Sequence, residues 1–229
     1  MKAPREKQDT RLMREMFGRI APRYDFITRV FSYGMDRRWK RLAVQQAPLP
    51  AAARVLDLAC GTGDFSKLVA RRDPDAQLFA ADLTERMLRL AGLPNSVSAD
   101  AGALPFRCSS FDAVFVGYGL RNFPNLELTL AEVRRVLKPG GSLISLDFFL
   151  PSRRWLRPVY LAYLFVQGAF WGLVLHGRAR IYTYIPDSLR SFLSAGEYAR
   201  LCERAGFTEI KARAFILGGI AVHWAKSRP

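Results

Sequence analysis

From residue 54 onward, short apolar runs alternate with stretches of helical periodicity. The first runs are RVLDLA, QLFAAD, NSVSAD, FDAVFVG and SLISLDFF. Strands that alternate with helices form a parallel sheet that is covered on both faces. Two last runs, EIKARAF and GIAVHWA, are joined through Gly218 and Gly219 and predict an antiparallel hairpin at one edge. We therefore predict an α/β fold with a mostly parallel, seven-stranded sheet.

The chain is expected to form one domain, because 229 residues suffice for a single core. Helical spacing and two closing prolines predict a helical arm at 1–50. The strand–helix core follows at 51–150, an apolar insertion at 151–195, and a closing helix with the hairpin at 196–229. The helix through Leu130 is expected to stop at KPGG, where glycine can adopt the left-handed cap and proline cannot continue the helix.

The formal net charge of +15 allows three interpretations, which are a nucleic acid partner, an anionic lipid surface, or a basic surface without a partner. The sequence contains no zinc finger, RNP motif or Lys/Arg-rich tail, so we do not expect nucleic acid binding. Three widely spaced cysteines and two histidines predict neither a disulfide framework nor a metal site. The charged N-terminus does not have the apolar core of a secretory signal, and we expect a cytoplasmic protein.

The apolar segment VYLAYLFVQGAFWGLVL, at 159–175, reaches the lower edge of the ~17–25 residues that span a bilayer. Pro158 precedes it and two glycines interrupt it, with arginines on both sides. These features favour a lid or an interfacial helix over a spanning helix.

The stretch DLACGTGDF, between the first strand and the first helix of the core, has the features of a ligand-binding loop. Gly61 and Gly63 allow the backbone to turn sharply and to approach a ligand closely. Asp82 ends the second strand, where an acidic side chain can accept both hydroxyls of an adenosine ribose.

The composition of this loop favours one nucleotide cofactor over another. Ser66 replaces the third glycine of the dinucleotide motif, and Asp57 and Asp64 bracket the loop. Two carboxylates repel a pyrophosphate and attract a cationic sulfonium with an amino-acid tail. S-adenosylmethionine is therefore expected rather than NAD.

Asp100 and Ala101 follow the third strand. From there a carboxylate can reach an adenine amino group and the alanine can pack on the ring, although Asp100 could also serve only as a loop cap. Asp57, Asp82 and Gly117 also lie at carboxyl ends of strands. Parallel sheets bind ligands at this edge.

Tyr118, Arg121 and Asn122 leave the fourth strand at the same edge. If a methyl group is transferred to carbon, the acceptor must be electron-rich, as a phenolate ring is. Arg121 and Asn122 are then expected to face the donor methyl and to stabilise negative charge on the phenolic oxygen. The alternative is that Arg121 pairs with a surface carboxylate.

The chain resembles the ubiquinone/menaquinone biosynthesis C-methyltransferases along nearly its whole length. The motifs that carry the resemblance are IAPRYDFITRVFSYGMDRRWKR, DLACGTGDF, ADAGALPF, FDAVFVGYGLRN, RVLKPGG, YTYIPDSL, AGF and GGIAVHWA. The glycine loop and KPGG are typical of class I methyltransferases in general, whereas GLRN and the arm motif are specific to this family.

The resemblance implies a Rossmann-like class I fold and donor contacts at Thr62, Asp82, Asp100, Ala101 and Gly117. A serine usually occupies the position of Gly117. The arm departs from the family pattern at three positions, which are Thr28, Arg29 and Asp36.

The acceptor side is expected to include Tyr118, Tyr182 and a lid residue pair, Tyr24 and Asp25. For the lid pair, local capping and packing is an equally good interpretation. The resemblance implies methylation of a polyprenylated quinol, with demethylmenaquinol preferred over the benzoquinol of the ubiquinone branch or another phenol. It also implies a lipid-soluble substrate and a peripheral position at the inner face of the cell membrane, and it leaves a homodimer open. An RNA methyltransferase and an NAD oxidoreductase are the competing classes.

Overall fold

The computed structural model describes residues 13–15, 17–18, 21, 24–177 and 184–228, without the side chains of four of them. Those four are Tyr24, Asp25, Ile27 and His176. The α-helices of this part of the chain are α1 (Tyr24–Phe31), α2 (Asp36–Gln45), α3 (Asp64–Arg72), α4 (Glu85–Ala91), α5 (Leu126–Val136), α6 (Leu156–His176), α7 (Tyr184–Arg190) and α8 (Ala195–Arg204). The strands are β1 (Arg54–Leu58), β2 (Gln77–Asp82), β3 (Ser96–Ser98), β4 (Phe111–Gly117), β5 (Leu137–Phe148), β6 (Phe207–Phe215) and β7 (Ile220–Ser227).

These strands form a seven-stranded sheet in the order β3-β2-β1-β4-β5-β7-β6. Neighbouring strands among β1 to β5 run parallel, whereas β7 is antiparallel to both β5 and β6. Consecutive residues of β4, from Ala113 to Val116, are all buried. Since successive side chains point to opposite faces, both faces of the central sheet are covered. The predicted architecture, including the antiparallel edge hairpin, is confirmed.

The direction of strand order reverses between β1 and β4. From β1 the chain adds β2 and β3 on one side, and it then returns to add β4 on the other. A crevice opens at the carboxyl ends of the strands at such a reversal. Leu58, Asp82 and Gly117, which end three adjacent strands, surround this crevice.

The prediction that α5 is capped by KPGG is wrong. The helix ends at Val136, and Leu137 already has extended dihedrals, φ −73° and ψ 140°. The pairing of β4 with β5 jumps from Leu137 to Ser142, so that KPGG forms a bulge at the start of β5. Lys138 precedes a proline, and a residue in that position is driven away from the helical region, which ends the helix early.

The arm helix α2 docks on the closing hairpin. Trp39 stacks on Phe215 with ring centroids 5.2 Å apart, and the indole N–H of Trp224 donates to the carbonyl of Ala43 at 3.0 Å. The buried face of α2 also includes Asp36 and Lys40, and Lys40 contacts Asp64 at the end of the glycine loop DLACGTGDF. The arm is therefore fixed between the hairpin and the crevice.

The apolar insertion forms the helix α6, and Leu156–Leu175 is, by length and composition alone, apolar enough to cross a membrane. Only 17% of its most apolar window is buried. Val166 and Phe170 are among the side chains exposed to solvent. At the start of the helix, the hydroxyl of Tyr160 donates to the carbonyl of Gly219 at 2.8 Å.

Candidate active site

The crevice at the strand reversal holds a cleft of about 740 Å³. Its walls come from the ends of β1, β2 and β4, from the loop after β3, and from the turn after β4. Met13 and Phe17 of the arm also contribute to the walls. Of the predicted site residues, Gly61, Asp82, Asp100, Ala101, Gly117, Tyr118 and Asn122 line this cleft.

Asp82 joins the second strand to the glycine loop. Its carboxylate accepts hydrogen bonds from the backbone N–H of Gly61 at 2.9 Å and of Thr84 at 2.8 Å. Burial raises the pKa of Asp82, and these N–H donors partly oppose that effect. Each carboxylate oxygen keeps further acceptor capacity, so the side chain can still receive the hydroxyls of a ligand.

The glycine loop turns through left-handed backbone at three positions. Ala59, Gly61 and Gly63 have φ values of 52°, 53° and 78°. A Cβ at Gly63 would lie 3.1 Å from the Cδ1 atom of Leu93, so the close packing also favours glycine there. Left-handed backbone is costly for residues with a side chain, and such strain occurs mainly at functional sites.

Asp57 lies inside β1 and is almost completely buried. Its Oδ2 accepts hydrogen bonds from the backbone N–H of Ser66 at 2.9 Å and from the Ser66 hydroxyl at 2.8 Å. Burial raises the pKa of Asp57 to about 7. The serine that replaces the third motif glycine therefore holds this carboxyl group, which the sequence did not reveal.

A second, smaller cavity of about 320 Å³ adjoins the cleft and shares Ala59, Gly61, Gly117 and Tyr118 with it. Asp57 and Thr62 line this second cavity. The two cavities adjoin one another, as an elongated ligand with a nucleoside at one end and a short polar tail at the other would require. This arrangement supports the expected cofactor contacts, which stay predictions.

Asp64 lines the smaller cavity together with Asp57, but its carboxylate also pairs with a cation of the arm. The carboxylate of Asp64 forms an ion pair with Lys40 of the arm at 2.6 Å. Lys40 also contacts Asp36 at 3.4 Å and is itself buried. A neighbouring cation therefore neutralises Asp64, and sequence analysis could not find this partner 24 residues away.

Asp100 is exposed, and its Oδ1 accepts the backbone N–H of Gly102 at 2.8 Å. The loop-cap interpretation is thus realised, and Asp100 lines the cleft as well. The adjacent Ala101 is buried in the cleft wall. Asp100 and Ala101 thus both line the cleft, and their contacts with an adenine ring stay predictions.

Gly117 borders both cavities and lies against the ring of Phe65. A Cβ at this position would lie 2.8 Å from the Cε2 atom of Phe65. Phe65 in turn packs against Phe115, with ring centroids 5.2 Å apart. The ring occupies the space that the family's usual serine would need, which explains the glycine in this chain.

The stretch GLRN leaves β4 through a strained turn. Tyr118 has a φ of 58°, which is unusual for an aromatic residue, and Leu120–Asn122 forms a single turn of 3₁₀-helix. The buried Tyr118 lines both cavities, and the ammonium of Lys40 lies 5.4 Å from its ring centroid. The turn directs consecutive side chains to opposite sides of the cleft wall.

Among the residues that the structure describes, Arg121 does not line the cleft. Its guanidinium is buried and forms an ion pair with Asp147 of β5 at 2.5 Å. It also donates to the carbonyl of Tyr118 at 3.2 Å and lies over the ring of Phe148. The alternative of a surface carboxylate partner is also not met, because Asp147 is fully buried.

Asp147 was not identified from the sequence, although it organises this turn. Its Oδ1 also accepts the N–H of Phe148 at 2.7 Å, and its Oδ2 accepts the N–H of Leu120 at 2.7 Å. Burial raises the pKa of Asp147, while the charge of Arg121 opposes the shift. A polar residue in an otherwise apolar strand, SLISLDFF, was the available signal.

Asn122 presents a polar group to the cleft. Its Nδ2 donates to the carbonyl of Tyr118 at 3.3 Å. Its Oδ1 is buried and has no hydrogen-bond partner among the described residues. A buried amide oxygen without a partner is costly, and a small movement of Asn122 that opened this oxygen to the cleft would allow a ligand to supply the donor.

The remaining predicted residues give less information. Tyr182 and the side chains of Tyr24 and Asp25 lie outside the described part of the chain. His223, one of the two histidines of the sequence, has no predicted role; it packs against Phe149 and Tyr198, and burial lowers its pKa to about 4. Within the described ranges, no group of histidine, cysteine and acidic residues could hold a metal ion.

Comparisons with known proteins identify relatives of this chain along nearly its whole length. The sequence profile of the ubiE/COQ5 methyltransferase family matches residues 4–227. The chain is 37% identical to the ubiquinone/menaquinone biosynthesis C-methyltransferase UbiE of Syntrophotalea carbinolica, over 98% of this chain and 96% of that protein. It is 38% identical to the demethylmenaquinone methyltransferase of Thermus thermophilus, over 91% and 98%, and 38% identical to that of Deinococcus radiodurans, over 96% and 94%.

Solved structures with similar folds are more distant in sequence. A SAM-dependent methyltransferase from Thermotoga maritima aligns with a TM-score of 0.62 at 21% identity, covering 93% of this chain and 99% of that chain. A SAM-dependent methyltransferase from Aquifex aeolicus aligns with a TM-score of 0.56 at 19% identity, covering 82% and 88%. These likenesses establish the Rossmann-like class I fold.

Proposed function

Since the chain belongs to the ubiE/COQ5 methyltransferase family, we propose that it transfers a methyl group from S-adenosylmethionine to a ring carbon of a polyprenylated quinol, with demethylmenaquinol as the acceptor. The names of the Thermus and Deinococcus relatives support the choice of demethylmenaquinol. The observation that carries the chemistry is the unpartnered amide oxygen of Asn122 in a cleft that also contains Asp82.

The donor would lie across the two adjoining cavities. Asp82 would receive the ribose hydroxyls, while Asp100 and Ala101 would contact the adenine. Thr62 and Asp57 line the smaller cavity, where the carboxyl group of Asp57 accepts hydrogen bonds from Ser66 and forms no ion pair with the described residues. An ammonium group next to Asp57 would stabilise the ionised carboxylate. The residues present therefore fit the cofactor.

On the acceptor side, the bound sulfonium supplies an electrophilic methyl group, and the protein has to orient an electron-rich ring against it. The Oδ1 of Asn122 would accept a hydrogen bond from a ring hydroxyl. This bond would fix the orientation of the ring and would increase the electron density that the hydroxyl oxygen donates to the ring carbons. Arg121 would act through the turn that it holds with Asp147, rather than by touching the acceptor.

The exposed helix α6 supports a membrane-associated position. Val159, Val166 and Phe170 are each more than half exposed, and apolar side chains of this size rarely stay in water over a whole helix. Arg153 and Arg154 precede the helix and are also exposed. Apolar side chains next to arginines suit the interface of an anionic bilayer, in which a polyprenylated substrate is dissolved.

The proposed activity is tested with purified protein, S-adenosylmethionine and reduced demethylmenaquinone in detergent micelles. We expect a product that is heavier by one methyl group, detected by mass spectrometry. The oxidised quinone is the matched control, since its ring is electron-poor and it should remain unchanged. Methylation of only the ubiquinone-branch benzoquinol would contradict the choice of acceptor, and no methylation of either quinol would contradict the proposed reaction.

A further inference from the structure

Lys40 is a buried cation at a cavity that otherwise offers carboxyl groups. It lies on helix α2 of the arm and lines the smaller cavity together with Asp57 and Thr62. Its ammonium is 2.6 Å from the carboxylate of Asp64 and 3.4 Å from that of Asp36. An ammonium group has three N–H donors, so one donor remains beyond these two carboxylates.

An interhelical brace alone explains this arrangement poorly. The side chain of Asp64 is 38% exposed, whereas that of Lys40 is 7% exposed. A half-solvated carboxylate does not require a buried ammonium, although the carboxylate of Asp36, whose side chain is 6% exposed, does. These two pairs use two of the three N–H donors of Lys40, and the third is left for the cavity that the residue lines.

The tail of the donor is a zwitterion that carries one ammonium and one carboxylate group. In the smaller cavity, the carboxyl groups of Asp57 and Asp64 can attract only the ammonium group of the tail, because two carboxylates repel each other. Lys40 is the one cation that the described residues contribute to this cavity. The carboxylate therefore has a single charged partner there.

From this geometry we propose that Lys40 binds the α-carboxylate of the donor's amino-acid tail, so that a residue of the arm completes the cofactor site. This inference rests on the proposed function, because it takes S-adenosylmethionine as the ligand. It assigns the arm a role in binding the donor and not only in covering the acceptor.

The test compares ligands that differ in their tails, by isothermal titration calorimetry. S-adenosylmethionine carries the whole tail, and its decarboxylated analogue lacks only the carboxylate. Methylthioadenosine lacks the whole amino-acid tail and, as a neutral thioether, the sulfonium charge as well. In the unmodified protein, we expect the full donor to bind about 10- to 100-fold more tightly than the decarboxylated analogue, the range of one charge-assisted hydrogen bond.

In Lys40→Met, this preference should disappear, while the affinity for methylthioadenosine should stay within about threefold, since the adenosine contacts are unchanged. The matched control is Arg41→Met on the same helix, because Arg41 is exposed and its N–H donates only to the carbonyl of Arg37 among the described residues. This control should keep the full preference.

Two results would overturn the assignment. One is an unchanged preference for the full donor in Lys40→Met. The other is an equal loss of affinity for all three ligands, which would make Lys40 a brace. If Lys40→Met does not fold, the same ratios are measured in Asp36→Asn/Lys40→Gln, which removes both members of the intrahelical pair. If the unmodified protein binds none of the ligands, the proposed function fails instead.

Discussion

Replacing Asp147 by asparagine should destabilise the protein strongly, because it leaves the guanidinium of Arg121 buried without a counter-charge. The side chains of this pair are 2% and 0% exposed. Loss of one partner of a buried ion pair costs about 3–5 kcal/mol, since the remaining charge can neither reach water nor neutralise itself. For a domain of this size, that loss corresponds to a Tm that is lower by roughly 6–20 °C.

The reverse replacement, Arg121→Met, should cost less. The carboxyl group of Asp147 can take up a proton, and burial already raises its pKa, whereas a guanidinium does not lose its proton in proteins. The double variant Asp147→Asn/Arg121→Met contains no buried charge. Its loss should therefore be smaller than the sum of the single losses by about 2–3 kcal/mol.

The measurement is urea unfolding of all four proteins at pH 7, followed by circular dichroism. The control is Glu85→Gln, which removes a partner of Arg89 in a pair whose side chains are 75% and 72% exposed, and should not change stability measurably. Additive effects of the two single replacements, or an Asp147→Asn variant as stable as the unmodified protein, would refute the reasoning.

Three further predictions concern the site and the surface. Asn122→Ala should lower kcat by about 10²–10³-fold with little change in donor affinity, because it removes a hydrogen bond made to the acceptor; an equal loss of donor affinity in calorimetry would contradict this role. Donor affinity should fall by up to about tenfold per pH unit below pH 7 and level off above it, because the carboxyl group of Asp57, whose pKa is about 7, is protonated there. The same group makes the ligand-free protein more stable as the pH falls from 7 towards 4. Asp57→Asn should abolish both trends, with donor affinity measured by titration calorimetry and stability by thermal unfolding. Trends that persist in this variant would exclude Asp57 as their cause. Phe170→Glu should reduce cosedimentation with anionic vesicles several-fold, because it removes apolar area and adds a charge of the same sign as the vesicle surface. Leu90→Glu, at an exposed leucine of α4, is the control and should not reduce it. Equal effects of the two replacements would exclude α6 as the lipid-binding face.

The fold could be predicted from sequence because its strands are short, almost continuous apolar runs. QLFAAD and FDAVFVG have the bounds of β2 and β4. The failure at KPGG has a local cause, since a proline both ends a helix and fits a bulged strand start. Sequence periodicity does not distinguish these two outcomes.

Sequence analysis found cleft residues whose position depends on the end of one strand. Asp82 and Ala101 are examples, and both line the cleft. The site was missed where two distant side chains neutralise each other. Asp147 is 26 residues from Arg121, and no periodic pattern links them. Such pairings depend on which strands are neighbours in the sheet, and this information appears only once the chain is folded.

The hydrogen bond between Tyr160 and Gly219 ties one end of α6 to the closing hairpin, 59 residues away in the chain. A Cβ at position 219 would lie 2.6 Å from the Cζ atom of the Tyr160 ring. Any residue other than glycine at this position must push the ring out and detach the start of the helix. The anchorage of this apolar, solvent-exposed helix thus depends on a residue that has no side chain.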